Sequence, residues 1–255
     1  MRGKKVALSA ARKLVVDWTR LQVPSVPVQR VVDLSKVVAA RAELVEPPQW
    51  SALFTKAYGL VSAEMPALRR AYVKLPRPHL YEYPVSVASF VLERVHRDEH
   101  IVLTILIRAP ETTPITKIAD AIRRTKTEPV QDIRSFRKIS SLARLPTPLR
   151  RGVLFLALNL GRQRVNYFGT FGISVYSELG AESLHPLSPL TAILNYGVIG
   201  DDGKATVRII YDHRVLDGAD VARALKRLEE RINDDIVNEL QALGTANVSK
   251  PHGAC

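Results

Sequence analysis

The sequence predicts an α/β fold gathered into one domain. Three observations lead there. β-rich runs at 85–94, 101–108, 171–175, 192–198 and 206–211 alternate with stretches whose apolar residues recur at helical spacing. One apolar pattern runs through both kinds of segment, with no internal repeat, so they share a core. The run 206–211 also passes directly into Asp212-His-Arg-Val-Leu-Asp-Gly218 and then into the helix-spaced 219–232. The domain is expected over 1–243, with 244–255 a loose tail.

The elements follow in order. Residues 7–23 place Leu8, Ala11, Val15, Trp18 and Leu21 near one helical face, and Pro24 and Pro27 end that helix. Residues 26–33 alternate as a strand, and Asp33 caps a helix over 34–42. After the Pro47-Pro48 break, 50–64 is an amphipathic helix stopped at Pro66. Pro76, Pro78 and Pro84 mark a loop. The runs 85–94 and 101–108 form a hairpin across the polar 95–100. Residues 114–126 are helical, and the basic stretch 127–151, with Pro146 and Pro148, is irregular.

The apolar run 152–160 lies between Arg150-Arg151 and Arg162-Gln-Arg164. It reads as a segment lying on a membrane, over 144–164, with its arginines on lipid phosphates. It reads equally as a buried element with solvated ends. Residues 171–175 and 192–198 are short buried strands, and Asp201-Asp202-Gly203 is a turn.

Composition narrows the partners. Hydrophobic residues make up 46% of the 255 and charged residues 24%, as in ordinary globular chains. The formal net charge of +12 favours an anionic partner: a phosphorylated cofactor, an anionic membrane face or nucleic acid. No Arg/Lys-rich tail or RNA-binding aromatic motif is visible, so nucleic acid is the least favoured. The single cysteine, Cys255, excludes an internal disulfide and fits a reducing cytoplasm. His79, His96, His100, His185 and His252 lack zinc-site spacing, so no metal is expected. Residues 1–5 are basic but have no signal-peptide core, and no apolar run approaches the ~18 residues of a membrane span. A cytoplasmic protein, at most peripheral at a membrane, is the expectation.

His213 is the candidate base. A strand-to-helix corner holds a histidine by backbone on both sides, and an imidazole is a side chain able to accept a proton at cellular pH. Asp217, four residues on, can brace the corner, and Gly218 lets the chain turn where a Cβ would clash. A serine nucleophile is less supported. Gly172-Ile-Ser174-Val-Tyr176 holds half of G-x-S-x-G and lacks the second glycine of the elbow.

The H-x-x-x-D-G of this corner resembles the active-site motif of the coenzyme-A-dependent acyltransferases. The fuller D-H-R-x-x-D-G-A-D resembles, more narrowly, the catalytic domain of the 2-oxo-acid dehydrogenase acyltransferases. Leu8-Ser-Ala-Ala-Arg-Lys13 is similar to that family's opening L-S-x-x-R-K, and Gly169-Thr-Phe-Gly-Ile-Ser174 to its G-T-F-T-I-S. Pro189-Leu-Thr-Ala-Ile-Leu194 is similar to its P-x-x-A-I-L strand. Residues 28–41, 99–109 and 219–232 resemble a strand and helix, the central strand and the last helix, in the family's order.

The resemblance implies a chloramphenicol acetyltransferase-like mixed sheet backed by helices. It implies a homotrimer, or a multiple of one, with active sites between subunits, so that Ser174 faces His213 of a neighbour. Coenzyme A would enter as the acyl-CoA substrate, His213 would be general base and Ser174 oxyanion donor. Asp217 would hold the loop through an arginine, with Arg214 that structural cation and Gly218 at the turn.

Three departures qualify this. No lipoyl domain, subunit-binding domain or Ala/Pro-rich linker precedes the segment, so no lipoyl group of its own is expected. The stretch 127–167 is longer and more basic than the family's, and Gly172 stands where the family has a hydroxyl residue. The expectation is a free-standing acyltransferase with an unidentified hydroxyl, thiol or amine acceptor. The alternatives are a non-catalytic scaffold subunit, or the core of a 2-oxo-acid dehydrogenase complex whose lipoyl carrier is another chain.

Overall fold

Alternation along six strands builds the main sheet of the computed structural model, which describes residues 3–7, 25–96, 99–143, 145–175, 180–181, 183–186 and 188–248. The strands are β2 (Ser25–Asp33), β5 (Val87–His96), β6 (Glu99–Arg108), β7 (Phe171–Ile173), β8 (Ala192–Tyr196) and β9 (Lys204–Asp212). Their order is β2-β9-β8-β7-β5-β6. β7 runs parallel to both of its neighbours, and the other pairs are antiparallel, so the sheet is mixed as expected.

Successive residues face opposite sides. Phe90, Phe171, Ile173, Leu194, Tyr196, Val207 and Ile209 face a layer of helices. These are α1 (Ser35–Ala42), α2 (Trp50–Glu64) and α3 (Ile115–Thr127). At the C-terminal end they are joined by α7 (Gly218–Arg231), a π-helical turn (Ile232–Ile236) and α8 (Val237–Val248). Phe54 of α2 stacks on Tyr196 of β8 at 4.1 Å, and Tyr58 stacks on Phe171 of β7 at 4.2 Å. On the opposite face Val87 packs with Ala71, Val73, Tyr81, Tyr83 and Val165. Ala71, Val73 and Tyr81 belong to a small second sheet, ordered β1-β4-β3, Tyr83 follows its middle strand, and Val165 belongs to α6 (Gly161–Tyr167). Its strands are β1 (Lys4–Val6), β3 (Arg70–Val73) and β4 (His79–Glu82).

Several expectations change. Asp33 is not the cap of α1; Leu34 is. The Asp33 carboxylate still accepts from Ser35 N–H at 2.9 Å and from Ser35 Oγ at 2.6 Å. Those bonds hold its pKa below the ordinary carboxylate value. The proline loop 76–84 contains β4, which pairs with both β1 and β3. The polar residues 95–100 do not all form a turn, because β5 and β6 pair as far as His96 and Glu99.

The stretch read as irregular, 127–151, is largely helical: α4 (Arg134–Ala143) is followed by α5 (Thr147–Asn159). Its prolines open a helix instead of preventing one. Pro146 is the N-cap of α5 and Pro148 lies in the first turn, where a missing N–H costs no helical bond. The chain past Leu243 is also helical, since α8 runs to Val248 and buries Leu240. The helix expected over 7–23, with its Leu8 to Lys13 motif, lies outside the described residues beyond Ala7, as do His252 and Cys255.

The Gly169-Thr170 pair ties β7 to β5. Gly169 has φ +82°, and a Cβ there would lie 2.7 Å from the Val87 carbonyl oxygen. Thr170 N–H donates to that oxygen at 2.7 Å, and Val87 N–H donates to Thr170 Oγ1 at 2.9 Å.

Phe54 is completely buried against Tyr196, so Phe54→Ala removes the ring and leaves a cavity beneath β8. The expected loss is about 3–5 kcal/mol of unfolding free energy, read from denaturant titration with the slope unchanged.

Candidate active site

β9 ends at Asp212, and the corner begins there. Asp212 N–H donates to the Thr191 carbonyl at 2.8 Å. Its own carbonyl accepts from Val215 N–H at 2.9 Å and Leu216 N–H at 3.1 Å. Val215 and Leu216 are buried and anchor the turn in the core. The Asp212 carboxylate accepts three bonds from one residue: Arg214 N–H at 3.0 Å, Nε at 2.9 Å and Nη2 at 2.7 Å. The Arg214 guanidinium also lies 4.6 Å over the Tyr72 ring. Burial works against its charge, yet the hydrogen bonds and charge of Asp212, with Tyr72, together hold its pKa above the ordinary value.

A second cation reaches the same place. Arg164 of α6 is almost wholly buried, donating to the Tyr72 carbonyl at 2.7 Å and to the Pro189 carbonyl. Burial lowers its pKa, and the neighbouring Tyr83 hydroxyl and Asp212 carboxylate act in the opposite direction.

His213 sits inside this clamp, with its side chain 27% exposed. Nδ1 lies 3.2 Å from the Leu216 carbonyl oxygen and 3.5 Å from Asp217 Oδ1. A carbonyl only accepts, so the Leu216 contact requires the proton on Nδ1. Nε2 then carries the lone pair. The Tyr211 ring flanks the imidazole at 5.7 Å.

Asp217 is the N-cap residue of α7, but its side chain does not cap the helix; its carboxylate lies beside His213. Gly218 does not have a positive φ, so the turn does not demand glycine for its backbone. A Cβ there would come to 3.3 Å from Tyr211 Oη, a tight but limited contact. Arg214 was expected to steady Asp217; its ion pair is instead with Asp212, two residues back, where one carboxylate chelates both its backbone N–H and its guanidinium.

Ser174 follows β7 and is buried. Its N–H donates to the Leu194 carbonyl at 3.2 Å, and its carbonyl accepts from Asn195 Nδ2 at 2.6 Å. Ile173 pairs with Leu194, which pairs with Ile209. The next step aligns Ser174 with Asn195, Arg208 and Gln29, four polar side chains on the face turned away from the helices. Arg208 donates to Gln29 Oε1 at 3.0 and 2.6 Å and to the Ser183 carbonyl at 2.8 Å. Asn195 Oδ1 is buried without a hydrogen-bond partner.

This register separates the two candidate residues. Ser174 lies level with Arg208, and His213 lies five residues further along β9 and past its end. At ~3.3 Å per residue the offset is roughly 16 Å along the strands, before the sideways step across β8. One chain therefore does not bring Ser174 and His213 together.

Sequence reading assigned no role at the site to Asp212, Arg164, Asn195 or Arg208. Asn195 and Arg208 carried a signal, because each is a polar residue within an apolar strand run. Arg164 was read as a flank of the apolar segment, and no local pattern announces its burial. Among the described residues, no group of three or more His, Cys, Asp and Glu could hold a metal ion. None of the described helices is long and apolar enough to cross a membrane.

Solved structures share this architecture. The chain is similar to the dihydrolipoamide acetyltransferase of Azotobacter vinelandii, at 20% identity over 91% of this chain and 90% of that one, with a TM-score of 0.59. It is similar to the cubic core of the pyruvate dehydrogenase multienzyme complex, at 18% identity over the same shares, with a TM-score of 0.58. It is also similar to a chloramphenicol acetyltransferase, at 13% identity over 90% of this chain and 99% of that one, with a TM-score of 0.58. No family model and no curated protein matches the sequence. At these identities the fold is what is shared. The chain has the chloramphenicol acetyltransferase-like fold, in the form also taken by the catalytic cores of 2-oxo-acid dehydrogenase acyltransferases. The Azotobacter enzyme's mechanism has been investigated at a serine, a histidine and an asparagine four residues past that histidine; here Asp217 stands four residues past His213.

Removing the Asp212 carboxylate leaves the Arg214 and Arg164 cations beside each other with no anion between them. Asp212→Ala is expected to cost about 2–4 kcal/mol of stability. It should also loosen the corner, read as lost dispersion and broadening of the His213 ring resonances.

Proposed function

We propose that the protein is an acyltransferase that moves an acyl group from an acyl thioester, acyl-CoA, to a hydroxyl, thiol or amine acceptor, at sites formed between subunits. The observation that carries this reading is the clamp on His213. Its Nδ1 is committed to the Leu216 carbonyl, so Nε2 is the proton acceptor, on a side chain that solvent still reaches.

In the reaction, Nε2 takes the proton from the acceptor's O–H, S–H or N–H as that atom attacks the thioester carbonyl carbon. The carbonyl electron pair moves onto oxygen. Ser174 Oγ–H of the adjoining subunit donates to this oxyanion. The intermediate collapses, the C–S bond breaks, and the leaving thiolate recovers the proton from Nε2. Asp217 beside Nδ1 favours the imidazolium formed midway, and Asp212 with Arg214 holds the loop.

The intersubunit site is supported by the register, since Ser174 and His213 of one chain stand roughly 16 Å apart along the strands. A coenzyme A donor is supported by the net charge of +12, which favours its phosphates. The reading as a non-catalytic scaffold leaves the oriented imidazole without a purpose. The reading as the core of a 2-oxo-acid dehydrogenase complex is separated by the acceptor.

The experiment measures thiol release from acetyl-CoA and longer acyl-CoAs with a panel of alcohols, amines and free dihydrolipoamide. His213→Ala is expected to lower kcat/KM by about 10²–10⁴ with assembly unchanged. Ser174→Ala is expected to lower kcat by about 10²–10³. Wild-type turnover in His213→Ala would sink the assignment.

Subunit mixing tests the location of the site. Separately inactive His213→Ala and Ser174→Ala proteins, unfolded together and reassembled, should regain part of the wild-type rate, because some contacts then join two intact residues. No recovery, or a fully active monomer in sedimentation, contradicts it.

A further inference from the structure

The apolar run 152–160, read from sequence as either buried or membrane-lying, buries only Asn159. Leu149, Val153 and Leu156 of α5 are 60%, 46% and 47% exposed, and Leu160 just past its end is 40% exposed. Their spacing places them on one stripe of the helix. Phe155 and, on the neighbouring α6, Tyr167 are about half exposed as well. The helix is not loose. Asn159 is buried at its end, with its Oδ1 accepting from Lys74 N–H at 3.3 Å and its Nδ2 donating to the Phe155 carbonyl at 2.8 Å. A fixed helix thus turns large apolar side chains to water, a pattern that marks an interaction surface.

The charge along this stretch of the sequence is one-sided. From Ile133 to Ser177 the sequence holds Arg134, Arg137, Lys138, Arg144, Arg150, Arg151, Arg162 and Arg164, and no aspartate or glutamate. Of the six among these whose side chains are described and which lie outside the buried Arg164, Arg134, Arg137, Lys138, Arg151 and Arg162 are exposed and Arg150 partly so.

We propose that α5 docks on an anionic lipid bilayer. Its stripe enters the headgroup and acyl boundary while the surrounding guanidinium and ammonium groups meet lipid phosphates. At ~1.5 Å per residue α5 offers about 20 Å of length lying in the membrane plane. A second copy of the chain is the competing occupant, and charge disfavours it. Such a copy brings either the same acid-free segment or another face of a chain whose formal charge is +12. A bilayer rich in anionic lipid supplies the missing negative charge over the whole patch. This inference does not rest on acyl transfer.

The test is co-sedimentation of the full chain with vesicles of phosphatidylcholine alone or mixed with phosphatidylglycerol. Binding to the mixed vesicles is expected to be at least tenfold tighter, and to weaken as salt rises. Leu149→Ser/Val153→Ser/Leu156→Ser is expected to lose tenfold or more, with its mass in sedimentation equilibrium unchanged. The single variant Leu149→Ser, at the most exposed position of the stripe, should show a smaller loss in the same direction and serves if the triple variant does not fold. Val45→Ser, at an exposed apolar residue outside α5, should bind as wild type does. Absent vesicle binding, or binding that survives loss of the stripe, overturns the proposal. So does an assembly that dissociates in the triple variant, because that puts a second copy on this face.

Discussion

The Asp212 carboxylate governs the candidate site. It is buried at the end of β9 and draws three hydrogen bonds from Arg214 across a two-residue chelate, while its backbone carbonyl closes the turn onto Val215 and Leu216. A buried carboxylate is costly unless its oxygens are matched, and here they are matched by the residue that must also stay charged. His213 lies between the two partners in sequence, so its backbone cannot move without breaking the chelate. Arg164, reaching in from α6, adds a cation to the same cluster, and the Tyr72 carbonyl and ring share the load of both arginines. The backbone that carries the imidazole is thus set by the Asp212 chelate, and the ring by its Nδ1 contact with the Leu216 carbonyl.

Much of this arrangement was legible before any coordinates. The strand over 26–33, the helix over 50–64, the hairpin across 95–100 and the strand-to-helix corner all follow from apolar period and punctuation, and all lie close to where that reading put them. Failures cluster where two rules competed. Pro146 and Pro148 were read as breakers, but proline at a helix start loses nothing, so α5 forms. β4 was hidden by the prolines on either side, and its partner β1 lies far away in sequence. Local pattern carries no record of such long-range pairing.

The site divides in the same way. His213, Arg214 and Asp217 could be named because a short motif holds them together. Their connections could not, since Arg214 has two carboxylates within three residues and sequence does not say which one it chooses. Ser174 was named from its place in a motif, whereas its neighbours Asn195 and Arg208 depend on the register of three strands. The chemistry-bearing residues are local signals; the row that surrounds Ser174 is a product of topology.

The separation of Ser174 from His213 also bears on symmetry. A contact that joins the serine region of one sheet to the histidine corner of another uses two different surfaces, so it is heterologous. Such a contact leaves one of each surface unused at the ends of any open chain of subunits, and only ring closure removes them. In a closed ring the complete serine–histidine pairs equal the subunits in number, whereas an open string always has one fewer. Ring closure would then raise catalytic capacity as well as stability, and an assembly caught half-built would carry idle residues at both ends.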